Sequence, residues 1–334
     1  IFIRYNVDMR IKTPIKYLVL FVSIVLILLV IKNQKKNVEN VKTSTSTGET
    51  IIFDSKRNAQ NFEIYIRSPG ETQPKQITNN SSYDSWWAKI SPDKIRVLFY
   101  RTPVGIHDRD YSQTSLWMMN IDGSNQRMLL PQHAFGWDLH GHAEWSPDGS
   151  MLIMFGGKKL SPQIFITDNE GKNPKQLTYR PGQNLDPSWS PDGKSITFVA
   201  CLNAICFPSD YEIFTMDNNG QNQMRITDDK LRDHDPYYSP DGQTIAWITK
   251  TSNKNIIGVW NIRSKNINTQ IIANVTNDDA INSKPDWSPD GSRIYFHRLT
   301  PGKNRFNIFS VRPDGTELQE IFSDQYNNEY PQAE

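Results

Sequence analysis

The feature that most constrains this chain is a phrase that returns five times: ISPDK at Ile90, WSPDG at Trp145, WSPDG at Trp189, YSPDG at Tyr238 and WSPDG at Trp287. Proline presets φ at the second position of a β-turn, aspartate bonds its own backbone, and glycine accepts a positive φ on leaving. Each copy is therefore a tight corner. An alternating strand follows, as in KSITFVA from Lys194 or SRIYFHR from Ser292. The serines stand at 91, 146, 190, 239 and 288, spacings within or slightly above those of propeller blades. Strand-turn-strand segments are interleaved with the corners, starting at Glu63, Ser115, Gln163, Glu212 and Asn307, with a looser copy from Ile256.

Six hairpins against five corners leave one unit to complete, and the chain ends supply it. ETIIFDSKR at Glu49 resembles a strand after a corner, and EYPQAE at Glu329 resembles the DPSW or KPDW before one. Residues 51–334 shared among six units give about 47 residues each, enough for four strands. The expected fold is all-β: a six-bladed β-propeller of four-stranded blades closed by pairing of the termini, preceded by one membrane-directed helix.

That helix is expected from YLVLFVSIVLILLVI, residues 17–31, which carries no charge. It would span about 22 Å at ~1.5 Å per residue, short of a ~30 Å hydrocarbon core unless Lys16 and Lys32 snorkel. The same length suits a signal-peptide apolar region. No pair of small residues follows at a cleavage distance, so a transmembrane anchor is favoured over a cleaved signal. Residues 1–16 read as a basic leader. Met9 opens its conventional part, which makes residues 1–8 candidates for untranslated sequence. Residues 32–50 read as a flexible tether and 51–334 as the propeller. The mean hydropathy of −0.60 gives the rest of the chain a polar, water-facing character. Lys and Arg total 37 against 36 Asp and Glu, so no basic field is available to hold nucleic acid.

The WSPDG corner with its I-x-F strand, followed by IF-x-M-D-x-x-G and a closing Q-L-T or R-I-T, resembles the TolB-like propeller repeat. The resemblance covers nearly all of residues 51–334 and implies the propeller fold. Similar blades occur in periplasmic Tol-system proteins, in peptidases and in sugar-acid lyases, so the resemblance does not choose a function. Only the tether stands where TolB carries its amino-terminal domain. No G-x-S-x-G elbow accompanies the blades, which excludes serine hydrolysis.

Corners and last-hairpin turns should share one face of tight turns, leaving the long connections to the other. On that decorated face His107, Arg109, Tyr111, Phe135 and Trp137 are the expected partner-binding residues. Positions four and six before each corner should line an axial mouth, because an i, i+2 spacing points both side chains one way. The mouth is expected to hold Trp87, His140, His142, Asp186, Asp233, Asp235, Lys284 and Tyr330. Among these, His140, His142, Asp186 and Asp235 could gather a divalent cation. The plainer reading, a wet channel without a cofactor, is preferred. Cys201 and Cys206, the only cysteines, should form a disulfide pinning one loop outside the cytoplasm.

Function is expected to be that of a monomeric, membrane-tethered extracytoplasmic module, periplasmic or at the cell surface, and secreted if the leader is cut. It would bind a protein or cell-wall partner without catalysis. The alternative is a metal-assisted polysaccharide lyase or hydrolase at the axial mouth, with Lys284 or Tyr330 moving protons.

Overall fold

The structure is a computed structural model that describes residues 42–43, 48–57, 60–201, 203–252, 258–322 and 324–334. Its repeating corner is closed twice. In each copy the Ser hydroxyl donates to the Asp two residues on, as in Ser190 to Asp192 Oδ1 at 2.7 Å. The same Asp oxygen then accepts the backbone N–H of Lys194 at 3.1 Å, while Gly193 N–H donates back to Ser190 O at 2.9 Å. Gly193 has φ +68, a left-handed conformation that glycine adopts without steric cost. The corner thus returns the chain antiparallel beside itself, and the apolar face of the next strand is buried.

Sheets build outward from this unit. Ile51–Ser55, Glu63–Arg67 and Lys75–Gln76 form one sheet with the last strand, Asn328–Ala333. That terminal strand lies antiparallel to Ile51–Ser55, pairing Ile51 with Ala333 and Ser55 with Asn328. Three further four-stranded sheets run from Tyr83 to Leu130, from Leu139 to Gln176 and from Asn184 to Arg225. The remaining strands, from Arg232 to Glu320 and including Lys42–Thr43, make a single nine-stranded sheet.

The expectation of six separate blades is therefore corrected. Four free-standing four-stranded blades are present among the described residues, not six. A parallel bridge between Trp260 and Ile281 joins the next two strand groups, and Lys42–Thr43 adds in parallel to Gln319–Glu320. The physical reason is local: Trp260 N–H donates across to Ala280 O at 3.3 Å, so the ladder does not break at that seam. Nor do the described residues include an α-helix. Their only helical turns are the short 3-10 turns Tyr111–Gln113, Ala134–Gly136 and Pro208–Asp210, and none is long and apolar enough to cross a membrane. The helix expected at 17–31, the leader and most of the tether lie outside the described residues.

Core packing sits between neighbouring sheets. Trp145 and Trp287, which precede their corners, are each 7% exposed, and their indole N–H groups donate to Lys89 O (3.2 Å) and Tyr237 O (3.3 Å) of the strand next door. Burying a ring of this size stabilises by roughly 3 kcal/mol.

Each innermost strand carries an irregularity at one position. Register slips between Trp86 and Lys89, and at the equivalent points beside His142, Asp186, Asp235, Lys284 and Tyr330. At every slip one residue turns left-handed: Trp87, His142, Asp186, Asp235, Lys284 and Tyr330 have φ between +49 and +56. None is glycine, so each costs about 1 kcal/mol or more in backbone strain. A bulge of this kind re-aims a side chain, and here it does so six times.

Candidate mouth site

The bulges decide which residues meet. In an unbroken strand the residues four and six before a corner would point together. The extra residue breaks that alternation and sends the two sets apart. His142, Asp186 and Asp235 converge, each offering a ligand atom within 4.8 Å of the others, whereas Asp233 gathers with Glu212 and Asp229 elsewhere. His140 does not join the mouth either. It is fully buried, its Nε2 lies 3.1 Å from Pro131 O, and burial pushes it down to about 4.

The mouth itself is a network of opposite charges. Asp186 is the hub: Oδ2 accepts from His234 Nδ1 at 2.8 Å, and Oδ1 lies 2.6 Å from His142 Nδ1. Burial opposes its ionisation, but His142, Lys284 and the two imidazole contacts outweigh burial and hold the carboxyl well below its usual range. The Lys284 ammonium donates to Asp235 Oδ1 and stands 3.4 Å from His142 Nε2. Burial and that ammonium keep His142 in its neutral form despite Asp186. Tyr111 OH, 2.7 Å from His142 Nε2, is held protonated by burial and the neighbouring aspartates.

Aromatic rings close the other side. Trp87 stacks on the His142 imidazole with centroids 4.0 Å apart and planes 4° from parallel, and the Lys284 ammonium lies 4.7 Å over the same indole. Tyr330 donates to Asp108. Beneath this layer a second one fills the axis: Lys89 Nζ is 3.2 Å from Glu144 Oε1, and Tyr237 OH donates to Glu144 at 2.5 Å. Only about 10 Å³ is left between the layers, scarcely one water. Above them opens a cavity of about 600 Å³, lined by Tyr111, His142, Asp186, Asp235 and Lys284 and rimmed by Arg109, Lys159 and Arg232.

The Lys284 ammonium competes with any metal ion for this donor set. Imidazole and two carboxylates are sound ligands, but the Lys284 ammonium already bonds Asp235 and faces His142, so a divalent ion among them would meet a positive charge within a few ångströms.

Of the residues expected on the partner face, Arg109 is exposed and Phe135 is 47% exposed, while Tyr111 turns inward to the mouth. His107 and Trp137 are corrected: they are 6% and 8% exposed. His107 is stacked on Phe62 and bonded to Asp54 Oδ2 at 3.0 Å; Trp137 is packed on Phe165 and against Gly156. Cys201 and Cys206 form the expected disulfide, with Cα atoms 5.7 Å apart. Sequence reasoning missed Arg232, His234 and Asp108. Arg232 Nε donates to His234 Nε2 at 3.1 Å, and its guanidinium lies 4.9 Å over Tyr211. Both residues stand in the charged run DDKLRDHD, the available signal.

A family model described as the TolB beta propeller domain matches residues 202–333. Among solved structures, TolB from Acinetobacter baumannii superposes with a TM-score of 0.67 at 18% identity, covering 85% of this chain and 66% of its own. The structure described as TolB from Agrobacterium tumefaciens gives 0.62 at 17% identity, over 86% and 92%. An oligogalacturonate lyase in complex with manganese gives 0.55 at 11% identity, over 84% and 75%. At these identities the likeness is one of fold.

Proposed function

On the premise that this chain carries a TolB-like β-propeller, we propose that it is a non-catalytic binding module, held outside the cytoplasm, whose mouth and surrounding loops receive a protein or cell-envelope partner. The observation that carries this reading is the mouth's internal pairing. Lys284 is matched to Asp235, Asp186 to two imidazoles, and Tyr111 keeps its proton, so among the described residues no free base or nucleophile faces the cavity. What remains outward is suited to contact. Arg109 and Arg232, which line the mouth cavity, have no carboxylate partner among the described residues, and connections between strands expose Phe135 (47%), Leu160 (81%), Ile205 (75%) and Phe207 (61%). Arginine beside exposed aromatic and aliphatic side chains is the composition of a recognition surface. The disulfide in one of these loops supports an oxidising compartment.

The test is affinity capture by the full chain from an envelope fraction, repeated with Arg109→Ala, Phe135→Ala and Phe207→Ala. A specific partner retained by the wild type and weakened at least tenfold by these changes supports the module. Turnover of an acidic polysaccharide, with or without added manganese, would overturn it.

A further inference from the structure

The cavity above the mouth changes sign with depth. On its floor Asp186 and Asp235 are 7% and 3% exposed and are taken up by His142, His234 and Lys284. Nearer solvent its lining offers Arg109, Lys159 and Arg232 against Asp110 alone, whose oxygens already accept from Ser112 and Gln113. Three cations against one carboxylate attract an anion to that level.

Arg232 is the cation whose position is fixed. Its Nε donates to His234 Nε2 at 3.1 Å, and His234 accepts there because the proton it gives to Asp186, at 2.8 Å, sits on Nδ1. The guanidinium lies 4.9 Å over Tyr211 and 5.8 Å over Trp260. Nε and the plane of the group are thus used, while its two terminal nitrogens make no hydrogen bond or ion pair among the described residues. A planar fork held in this way is set for bidentate contact with a carboxylate. Tyr211 also fixes a second donor. Its hydroxyl donates to Gln183 Oε1 at 2.9 Å, which leaves the Gln183 amide nitrogen without a partner among the described residues, in the same cavity.

The rest of that lining is apolar: Leu139, Phe155, Pro162 and Leu185. A carboxylate beside an apolar side chain matches both halves of the site. A sugar ring, with hydroxyls all round, would leave those hydroxyls facing leucine. Resting on the reading of the mouth as a partner-binding site, we infer that the partner enters it as an acidic peptide segment, with one Asp or Glu carboxylate gripped by Arg232 and Gln183 and a neighbouring apolar side chain set against Leu139 and Leu185. Arg109 and Lys159, both exposed, add attraction at the rim rather than geometry. His234 is a positioning residue that acts through Arg232.

The experiment titrates the full chain at low salt with two acetylated, amidated peptides, Gly-Glu-Leu-Glu-Gly and Gly-Gln-Leu-Gln-Gly, by calorimetry. The Glu peptide should bind at least about tenfold tighter. Arg232→Lys keeps the charge but loses the fork, and should bring that ratio below about threefold. His234→Gln, whose amide oxygen still accepts from Arg232 Nε, should keep the preference, and His234→Leu should lose it. Because the readout is a ratio of two ligands on one protein, partial unfolding of a variant does not move it. No preference in the wild type, a preference undiminished in Arg232→Lys, or an oligogalacturonate that binds more tightly than the Glu peptide overturns the proposal. Capture of an envelope partner that Arg232→Lys retains at full strength also overturns it, and leaves the wider binding-module reading standing. A Glu preference with no partner captured supports the peptide site and sinks the wider reading.

Discussion

The turn face and the mouth are made from positions four residues apart in the same strands, yet they vary in opposite ways. At the corners the residues repeat: a serine bonds an aspartate and glycine leaves with φ near +69, as at Gly149, Gly193, Gly242 and Gly291. At the bulges the backbone repeats and the residues do not, with five residue types in six places, all within a few degrees of φ +52. Where geometry is the purpose, side-chain identity is repeated. Where a common backbone only presents side chains, identity is free to differ, and there the chemistry collects.

The largest test of that contrast is to empty the mouth of its cation. Lys284→Ala leaves Asp235 buried without its partner and should cost about 3–5 kcal/mol in urea unfolding, with at least half regained in Lys284→Ala/Asp235→Asn. A loss below ~1 kcal/mol would mean the mouth is no more cooperative than a corner.

Next comes His107, just beneath the mouth loops. Burial alone would lower its pKa, but the bonds to Asp108 and Asp54 outweigh burial and raise it to about 10. The folded value lies above the unfolded ~6.5, so the stabilisation is complete below about pH 6.5 and is lost as pH rises towards 10. Relative to His107→Gln, the wild type should therefore lead by roughly 2 kcal/mol at pH 6 and lose that lead by pH 10, read from Tm against pH. A lead that grows with pH would reverse the assignment.

Reducing the Cys201–Cys206 bridge should cost about 2 kcal/mol by loop-closure entropy and loosen only its own loop, which hydrogen exchange would localise. The smallest effects belong to the corners. A Cβ at Gly193 would meet nothing nearer than Pro147 at 3.8 Å, so Gly193→Ala should cost only the left-handed strain, about 1 kcal/mol. The first corner has Lys94 at that position with φ +59, and Lys94→Gly should gain up to about 1 kcal/mol. Equal and opposite shifts in Tm would sharpen the view that corners answer to backbone alone.

Much of the architecture was legible because corner chemistry is local. Ser-Pro-Asp-Gly states its own turn, the aromatic residue before it states the seam it packs into, and the pairing of Ile51–Ser55 with Asn328–Ala333 follows from the two half-phrases at the ends. The number of separate blades was not legible, because a single bridge at Trp260 and Ile281 merges two strand groups and no residue pattern announces it. The site was half legible. Trp87, His142, Asp186, Asp235, Lys284 and Tyr330 are the residues four before a corner or its equivalent, and they meet. His140 and Asp233 do not join them, because the i, i+2 rule assumes a strand without a bulge.

The amino-acid sequence by itself determined the recurring turn, the alternation of buried and exposed residues, the disulfide and the list of polar residues near the axis. All of these depend on interactions within a few residues or on the period of a strand. Only the tertiary structure decided which polar residues share a charge network, that the Lys284 ammonium meets Asp235 in the mouth, and that Glu212 and Asp233 gather across a seam. Those outcomes depend on distances between residues tens to more than a hundred positions apart, and on a left-handed backbone turn that none of the six side chains prefers for itself.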